Sequence, residues 1–443
     1  MAGLTDTIFA TATGSGRAAL TVIRISGPMT CETLRHLAGQ LPSPRRMSLR
    51  RLRLPDSNEE LDQALIVWMP GPRSYTGEDA AELHLHGGNA VLRAAAEALA
   101  LLGCRPALPG EFSRRAFLNG RMDLTQAEGV ADLVAAETAA QRRQALFQMQ
   151  GGLRDTCDRW TRSATRLLAH QEAAIEFEME DLPDNLCDAI RADLDALSQE
   201  IRTHLARAKG GERLREGASI AILGAPNAGK SSLLNALSGR EAAIVSARAG
   251  TTRDVVECSF ELHGLAVTVA DTAGLRDVAD EVEAEGVRRA LRCAETADLV
   301  LAVFASDAVP DAATLDIASS VPNTLVVANK CDLAPMPGSL AHLRPALAVS
   351  ARTGEGLPHL HDRLVEALGV QGNPSQDVLF TRPRHRAALT TALRHIDCAT
   401  TAGQAEVVAE ELRGAVHALA SLTGAIGVEG VLDVVFSDFC IGK

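Results

Sequence analysis

"SIAILGAPNAGKSSLLNAL", Ser219–Leu237, decides the fold. Ile220–Leu223 is an apolar run of strand length, and the segment after Lys230 has the composition of a helix. Between them, GAPNAGKS at 224–231 matches G-x-x-x-x-G-K-[ST]. Gly224 and Gly229 let the backbone wrap a phosphate with its N–H groups pointing inward, and Ala228 and Ser232 lie in the same wrap. Lys230 brings a point charge to the β- and γ-phosphates, and the Ser231 hydroxyl suits Mg²⁺, a hard ion that takes oxygen ligands. A strand before and a helix after make this a phosphate loop rather than a chance glycine-rich turn.

Further elements follow in order toward the C-terminus. DTAG (Asp271, Thr272, Ala273, Gly274) ends a strand, so Asp271 can hold Mg²⁺ through water and the Gly274 N–H can meet a γ-phosphate. NKCD (Asn329, Lys330, Cys331, Asp332) ends a later strand, and Asp332 can accept from the N1–H and N2–H of a guanine edge. Adenine lacks that donor pair, so this element selects a guanine nucleotide. SAR (Ser350, Ala351, Arg352) ends the last strand, where a backbone N–H can meet the guanine carbonyl. GTTRD (Gly250–Asp254) lies between the phosphate loop and DTAG and has the place of a switch segment. Thr251 and Thr252 are both candidates to complete Mg²⁺ coordination, and spacing does not choose between them.

Around these motifs strands and helices alternate from about residue 217: SIAILG, KSSLLNAL, LAVTVAD, ADLVLAVF, NTLVVANK, ALAVS. That pattern predicts a mostly parallel sheet covered on both faces. Residues 1–118 are strand-rich, with ALTVIRIS and ALIVWMP as buried strands and GGNAVLRAAAEALALLG as a turn and helix. Residues 119–216 and 372–443 are helical in texture, including Leu124–Gln150 and Asp193–Lys209 as amphipathic stretches. The expected fold class is therefore multidomain α/β and all-α. It has an N-terminal α/β domain at 1–118, a helical domain split into 119–216 and 372–443, and a Ras-like P-loop domain inserted at 217–371. AKGGERLREG (208–217) and GVQGNPSQD (369–377) are polar and glycine-containing, as linkers.

Hydrolysis needs an oriented water. The residue after the DTAG glycine is Leu275, with no polar atom for that task. The acidic run that follows offers Asp277, Asp280, Glu281, Glu283 and Glu285, and the nearby arginines are Arg253 and Arg276. The Asn227 amide oxygen could ligate a monovalent cation that takes the place of an arginine finger.

Composition narrows the partners. The 443 residues are 46% hydrophobic and 3% aromatic with a net charge of −12, against a whole-surface grip on nucleic acid or base stacking as the main recognition device. The local basic stretch RRMSLRRLRL, with Arg45, Arg46, Arg50, Arg51 and Arg53, is the best candidate for a local RNA contact, against the plainer reading of a solvated strand or loop. Nine cysteines with no C-x-x-C pair fit a reducing compartment and no zinc site. No apolar run reaches the roughly 18 residues of a membrane span, and the N-terminal stretch lacks a basic n-region, so a cytoplasmic location without membrane attachment is expected. The C-terminal FCIGK places Cys440 at C-a-a-X spacing, but Gly-Lys fits a prenylation box poorly and no polybasic tract precedes it. Glu82, His84 and His86 in ELHLHGG alternate onto one face of a strand, open to a metal reading or to a half-buried strand.

Taken together, GRAALTVIRISGP, SYTGEDAAELHLHGG, PGEFSRRAFLNGRMDLTQAE, GAPNAGKSSLLNALSGREAAIVS, AGTTRDVVE, DTAGLRD, SARTGEG and FCIGK resemble the MnmE (TrmE) family of tRNA modification GTPases along the whole chain. The resemblance implies a K⁺-activated GTPase whose G domains dimerise across the nucleotide. Asn227 with backbone oxygens of Ser246, Arg248 and Thr251 would hold K⁺, Ser231 and Thr252 would hold Mg²⁺, and Glu283 would orient the water. It also implies that 5-formyl-tetrahydrofolate or a related one-carbon folate binds near Arg24, Glu82, Arg121 and Lys443; Arg121 stands where the family commonly has lysine. The C-terminal tail would fold back to bring Cys440 to that chemistry, as a catalytic group. The expected assembly is a homodimer joined to an FAD-dependent, MnmG/GidA-like partner in a heterotetramer that modifies carbon 5 of the wobble uridine (position 34) of tRNA to an aminomethyl or carboxymethylaminomethyl group. The rival readings are a ribosome-associated assembly GTPase without modification chemistry, which would not bind folate, and a dynamin-like scaffold, which would need lipid contacts.

Overall fold

The computed structural model describes residues 5–14, 16–176, 186–240, 243–244, 256–271, 293–340, 342–343, 346–369, 380–426, 429–437, 439 and 442. The chain divides into two compact units: one of 1–134, 146–198 and 388–443, the other of 135–145 and 199–387.

In the first unit, β1 (Ile8–Thr11), β2 (Ala18–Ser26), β3 (Ser48–Arg53), β4 (Glu60–Met69), β5 (Ala80–Gly87) and β6 (Arg105–Pro106) form one sheet in the order β3-β4-β5-β2-β1-β6. Every neighbouring pair is antiparallel except β1 with β6. Alternation writes the faces: Thr21, Ile23 and Ile25 of β2 are buried, as are Leu83 and Leu85 of β5, while Glu82, His84 and His86 point the other way. Helices α1 (Thr30–Ala38) and α2 (Asn89–Leu101) cover the apolar face, joining Leu34, Leu37 and Leu99 to Ile23, Ile25 and Leu83 in one core. Beyond α3 (Glu111–Leu118) the unit is helical. There, α6 (Gly152–Glu176) packs along α12 (Ala405–Thr423), with Trp160, Leu167, Leu412 and Leu419 fully buried.

The amphipathic stretch 124–150 is two helices, α4 (Leu124–Ala135) and α5 (Ala139–Met149), rather than one. Thr138 and Gln141 end the continuity. The Thr138 hydroxyl accepts from Gln141 N–H at 3.1 Å, and the Gln141 side-chain oxygen accepts from the Glu137 and Thr138 amides at 2.8 and 3.0 Å. This T-x-x-Q pair is a capping box, which supplies a new helix with the partners its first turn lacks.

The second unit holds β7 (Ala218–Leu223), β8 (Ala243–Ile244), β9 (Val256–Leu262), β10 (Leu265–Asp271), β11 (Leu299–Ala305), β12 (Thr324–Asn329) and β13 (Ala346–Ala348), ordered β13-β12-β11-β7-β10-β9-β8. The five strands from β13 to β10 are parallel, and β9 and β8 continue antiparallel. All six residues of β12 are buried, as expected where helices cover both faces. One face packs on Leu233 and Leu237 of α8 (Lys230–Arg240) with Leu360 and Leu364 of α10 (Leu357–Ala367); the other carries Phe304, Ala318 and Leu340. The parallel strands all finish at one edge, which gathers the phosphate loop, NKCD and SAR.

The expected linker at 208–217 is instead helix: α7 (Leu186–Glu216) runs through Gly210 and Gly211. Each glycine costs a helix about 1 kcal/mol. Side-chain anchors offset that cost, with Arg215 Nε donating to Thr381 O at 3.0 Å and Arg386 pairing with Glu212 at 2.9 Å. Gly217 at φ 78 makes the turn into β7, where any Cβ would lie 2.6 Å from Ala266 O. Most of the other expected linker, 370–377, lies outside the described residues.

A candidate guanine-nucleotide site and an N-terminal arginine pocket

Parallel strands β7 and β12 deliver the phosphate loop and the NKCD loop to the same sheet edge. Gly224 must be glycine because a Cβ there would sit 2.2 Å from Val303 O on the adjoining strand. Gly229 adopts φ 86, and its Cβ would stand 2.3 Å from Asn329 Nδ2. Asn227 and Lys330 both hold positive φ, 63° and 64°, a backbone state that is rare for side-chain-bearing residues and recurs at functional loops. Lys230 opens α8, is buried, and donates through Nζ to Gly224 O at 2.7 Å and Ala225 O at 2.9 Å. Its ammonium therefore lies over the loop that it serves. Ser231 and Ser232 follow, exposed in the first turn of α8.

Asn329 ties three segments together. Its Nδ2 donates to Ala228 O at 3.0 Å, and its Oδ1 accepts from Lys330 N at 2.8 Å and Ala351 N at 3.1 Å. The side chain is 2% exposed, so these bonds are made away from water and hold the phosphate, NKCD and SAR loops as one rigid cradle. The Asp332 carboxylate accepts from Ser350 Oγ at 2.7 Å and from Arg352 at 2.6 Å. The Ser350 hydrogen bond holds that carboxyl below its ordinary value, against the effect of burial and with help from the Arg352 charge, so it stands ionised as an acceptor. Lys330 pairs with Asp307 at 3.1 Å, beside a cleft of about 140 Å³ bordered by Pro226 and Asn227. Asp307 is a residue the motif reading did not find; it follows β11, which carries no signature of its own.

Oxygen donors at Ser231 and Asn227 suit hard cations such as Mg²⁺ and K⁺. The backbone of Asp271 ends β10 at the same edge. Ser246, Arg248, Thr251, Thr252, Thr272, Ala273, Gly274 and Glu283 lie outside the described residues.

The first unit brings together a second cluster. Arg24 of β2 donates through Nε and a terminal nitrogen to Glu82 at 3.1 and 2.9 Å, as neighbouring antiparallel strands allow. Its guanidinium lies 5.4 Å from the ring centre of Tyr75, the single tyrosine of the chain, and 5.9 Å from that of Phe112. The Tyr75 hydroxyl is 2.7 Å from Ser113 Oγ. The tail returns here: Gly442 O accepts from Arg24 at 3.4 Å, and a Cβ on Gly442 would meet Thr11 O at 2.3 Å. Phe436 and Phe439 are buried with Leu124 and Leu432, anchoring the tail. Cys440 and Lys443 lie outside the described residues. Arg121 is exposed and lays its stem over Gly77. His84 stands 3.5 Å from Glu82, while His86 pairs with Asp62 at 2.8 Å, and no metal-holding cluster of three or more such groups occurs among the described residues.

Behind that pocket is an ion network that motif reading missed. Arg115, 3% exposed, pairs with Asp6 at 2.6 Å, Glu111 at 3.1 Å and Glu78 at 3.2 Å. Arg105 also pairs with Glu111, at 2.6 Å. Burial pushes the Asp6 and Glu111 carboxyls up, but the arginine hydrogen bonds and charges outweigh it and hold both below their ordinary values.

No helix among the described residues is long and apolar enough to cross a membrane. Residues 7–121 match the family model "GTP-binding protein TrmE N-terminus", and 124–440 match "MnmE helical domain". The chain is 52% identical to the tRNA modification GTPase MnmE of Granulibacter bethesdensis over 99% of both chains. It is 51% identical to the protein of that name from Gluconacetobacter diazotrophicus over 98% of each. The solved G domain of the T. maritima FeoB iron transporter matches at 26% identity over 34% of this chain and 98% of that one, with a TM-score of 0.26, too low to support a structural argument. On the strength of its full-length likeness to those relatives and of the two family models, the chain belongs to the MnmE family of tRNA modification GTPases.

Proposed function

We propose that this protein hydrolyses GTP in a K⁺-activated cycle coupled to modification of the wobble uridine of tRNA. The observation that carries the nucleotide half is the Asn329 bridge, which couples the loop built for phosphates to the loop built for a guanine edge. Lys230 bonds the β- and γ-phosphates, Asp332 accepts from the base, and Glu283 orients the attacking water in place of Leu275. A magnesium ion held by Ser231 and Thr252, and a potassium ion held by Asn227 with backbone oxygens of Ser246, Arg248 and Thr251, would supply the charge compensation. Residues 217–371 act as the inserted switch, flanked by the helical parts 119–216 and 372–443.

The N-terminal domain, 1–118, would bind a one-carbon tetrahydrofolate and support the homodimer. The Arg24 cluster fits such a ligand: a half-buried guanidinium beside aromatic faces suits a flat ring that carries carboxylates. Glu82, Arg121, Lys443 and the Cys440 thiol complete the residues assigned to that site. An FAD-dependent partner would supply the redox step, and the wobble uridine of tRNA would receive the carbon unit.

Steady-state GTP turnover in matched K⁺ and Na⁺ buffers tests the switch. Hydrolysis should be much faster in K⁺, and Asn227→Ala should erase the difference; equal rates in both salts would sink the cation assignment. Mass spectrometry of tRNA from cells lacking the protein tests the second half, with loss of the modified wobble uridine as the expected result and unchanged levels as the contrary one.

A further inference from the structure

We propose that the Arg352 side chain is a built-in competitor of guanine: it occupies the Asp332 oxygen that the base edge requires, and swings away when the base is bound. This rests on the assignment of Asp332 as the guanine acceptor. The chemistry of the mimicry is direct. A guanidinium and the N1–H/N2–H edge of guanine are both planar sets of N–H donors matched to a carboxylate fork. Arg352 donates to Asp332 Oδ2 at 2.6 Å, while Ser350 fastens Oδ1 at 2.7 Å. The Asp332 side chain is 12% exposed and that of Arg352 is 75% exposed, so the arginine reaches in from the solvent side and is free to leave. The acceptor itself is held by the cradle. Ala351, between Ser350 and Arg352 in the chain, is tied through its backbone N–H to Asn329, so movement of Arg352 need not disturb the loop.

The consequence is a lowered affinity for any base that takes the Asp332 oxygen, since each must displace the same ion pair. A guanine edge offsets that loss with two hydrogen bonds of its own. Exposed pairs are weak, so the competitor tunes affinity without blocking the site.

The test uses the full-length protein with Arg352→Ala and Arg352→Gln, measured by stopped-flow and titration of fluorescent GDP in Mg²⁺ and K⁺. Arg352→Ala should tighten GDP by about two- to fivefold, mainly through faster association, and Arg352→Gln should tighten it less. In an Asp332→Asn background, xanthosine diphosphate offers a carbonyl to the new amide. Arg352 has lost its charged partner there, so adding Arg352→Ala should change nothing. Unchanged or weakened GDP binding in Arg352→Ala would overturn the competitor role and make the side chain idle or a support for the base. If Asp332→Asn alone leaves GDP affinity intact, the guanine assignment fails, and the competitor fails with it for a separately visible reason.

Discussion

The nucleotide cradle and the N-terminal arginine pocket are built by opposite means. The cradle is mostly backbone: two glycines that admit close approach, two residues at positive φ, and one asparagine that bonds main-chain groups of three loops. Its contributors are short contiguous motifs at the ends of parallel strands. The arginine pocket is made of side chains, from Arg24, Tyr75, Glu82 and Phe112, with a carbonyl from Gly442 that is 418 positions away from Arg24. A backbone site depends on local conformation and writes itself into local sequence. A side-chain site depends on which strands pair, so its members carry no shared spacing.

This difference can be broken by mutation. Arg115→Ala should have the largest effect, about 3–5 kcal/mol, because it removes a buried guanidinium that pairs with three carboxylates, taking the arginine partner from Glu78 and leaving Glu111 to Arg105 alone. Urea unfolding should show the first unit destabilised while GDP affinity measured below the transition stays unchanged; a parallel loss of both would tie the sites together. Gly229→Ala should act conversely. A methyl 2.3 Å from Asn329 Nδ2, at φ 86, should lower GDP affinity by about 30- to 100-fold in a fluorescence titration, with folate binding unaffected. Arg24→Ala should weaken folate binding by about tenfold or more in isothermal titration and leave GTP turnover unchanged, while normal folate affinity would remove the pocket from the site.

The smallest effect is acidic. Asp6 and Glu111 have carboxyls lowered from 3.8 and 4.5. A lowered folded-state value stabilises above the unfolded value and is lost as pH falls through the folded one, so their contribution should begin to decline at about pH 4 and be gone only below the lowered folded-state values. Because Asp6 is a third exposed, solvent screening keeps its share small. Unfolding at pH 7 and pH 3, with Glu111→Gln as the comparison, should show the variant lose less stability on acidification than the parent chain.

Much of the second unit was legible. The apolar runs at 219–224, 265–271, 297–304 and 323–330 correspond to β7, β10, β11 and β12, because strands covered on both faces carry few polar residues; the run at 346–350 corresponds to the half-exposed edge strand β13. The helix break at Thr138 was missed although T-x-x-Q was in view, since the apolar periodicity continues across it. The helical run through Gly210 and Gly211 was missed because glycine is a poor local indicator where distant partners hold the chain: Thr381 and Arg386 bond Arg215 and Glu212 from more than 150 residues away. Arg115 belongs to a stretch recognisable by resemblance, but nothing in that stretch announces its partners at Asp6 and Glu78.

By itself the sequence determined the phosphate loop, the guanine motif and the parallel sheet that presents them, because each follows from conformational demands within a few residues: glycine where a Cβ would collide, apolar runs where both strand faces are covered. The return of the tail to Arg24 was expected from the family resemblance alone, while only the tertiary structure decided the Asn329 clamp, the Arg352–Asp332 pair and the buried Arg115 network. Those depend on long-range pairing of charge and hydrogen-bond donors, whose energies are set by burial and distance, and neither is written in the order of the residues.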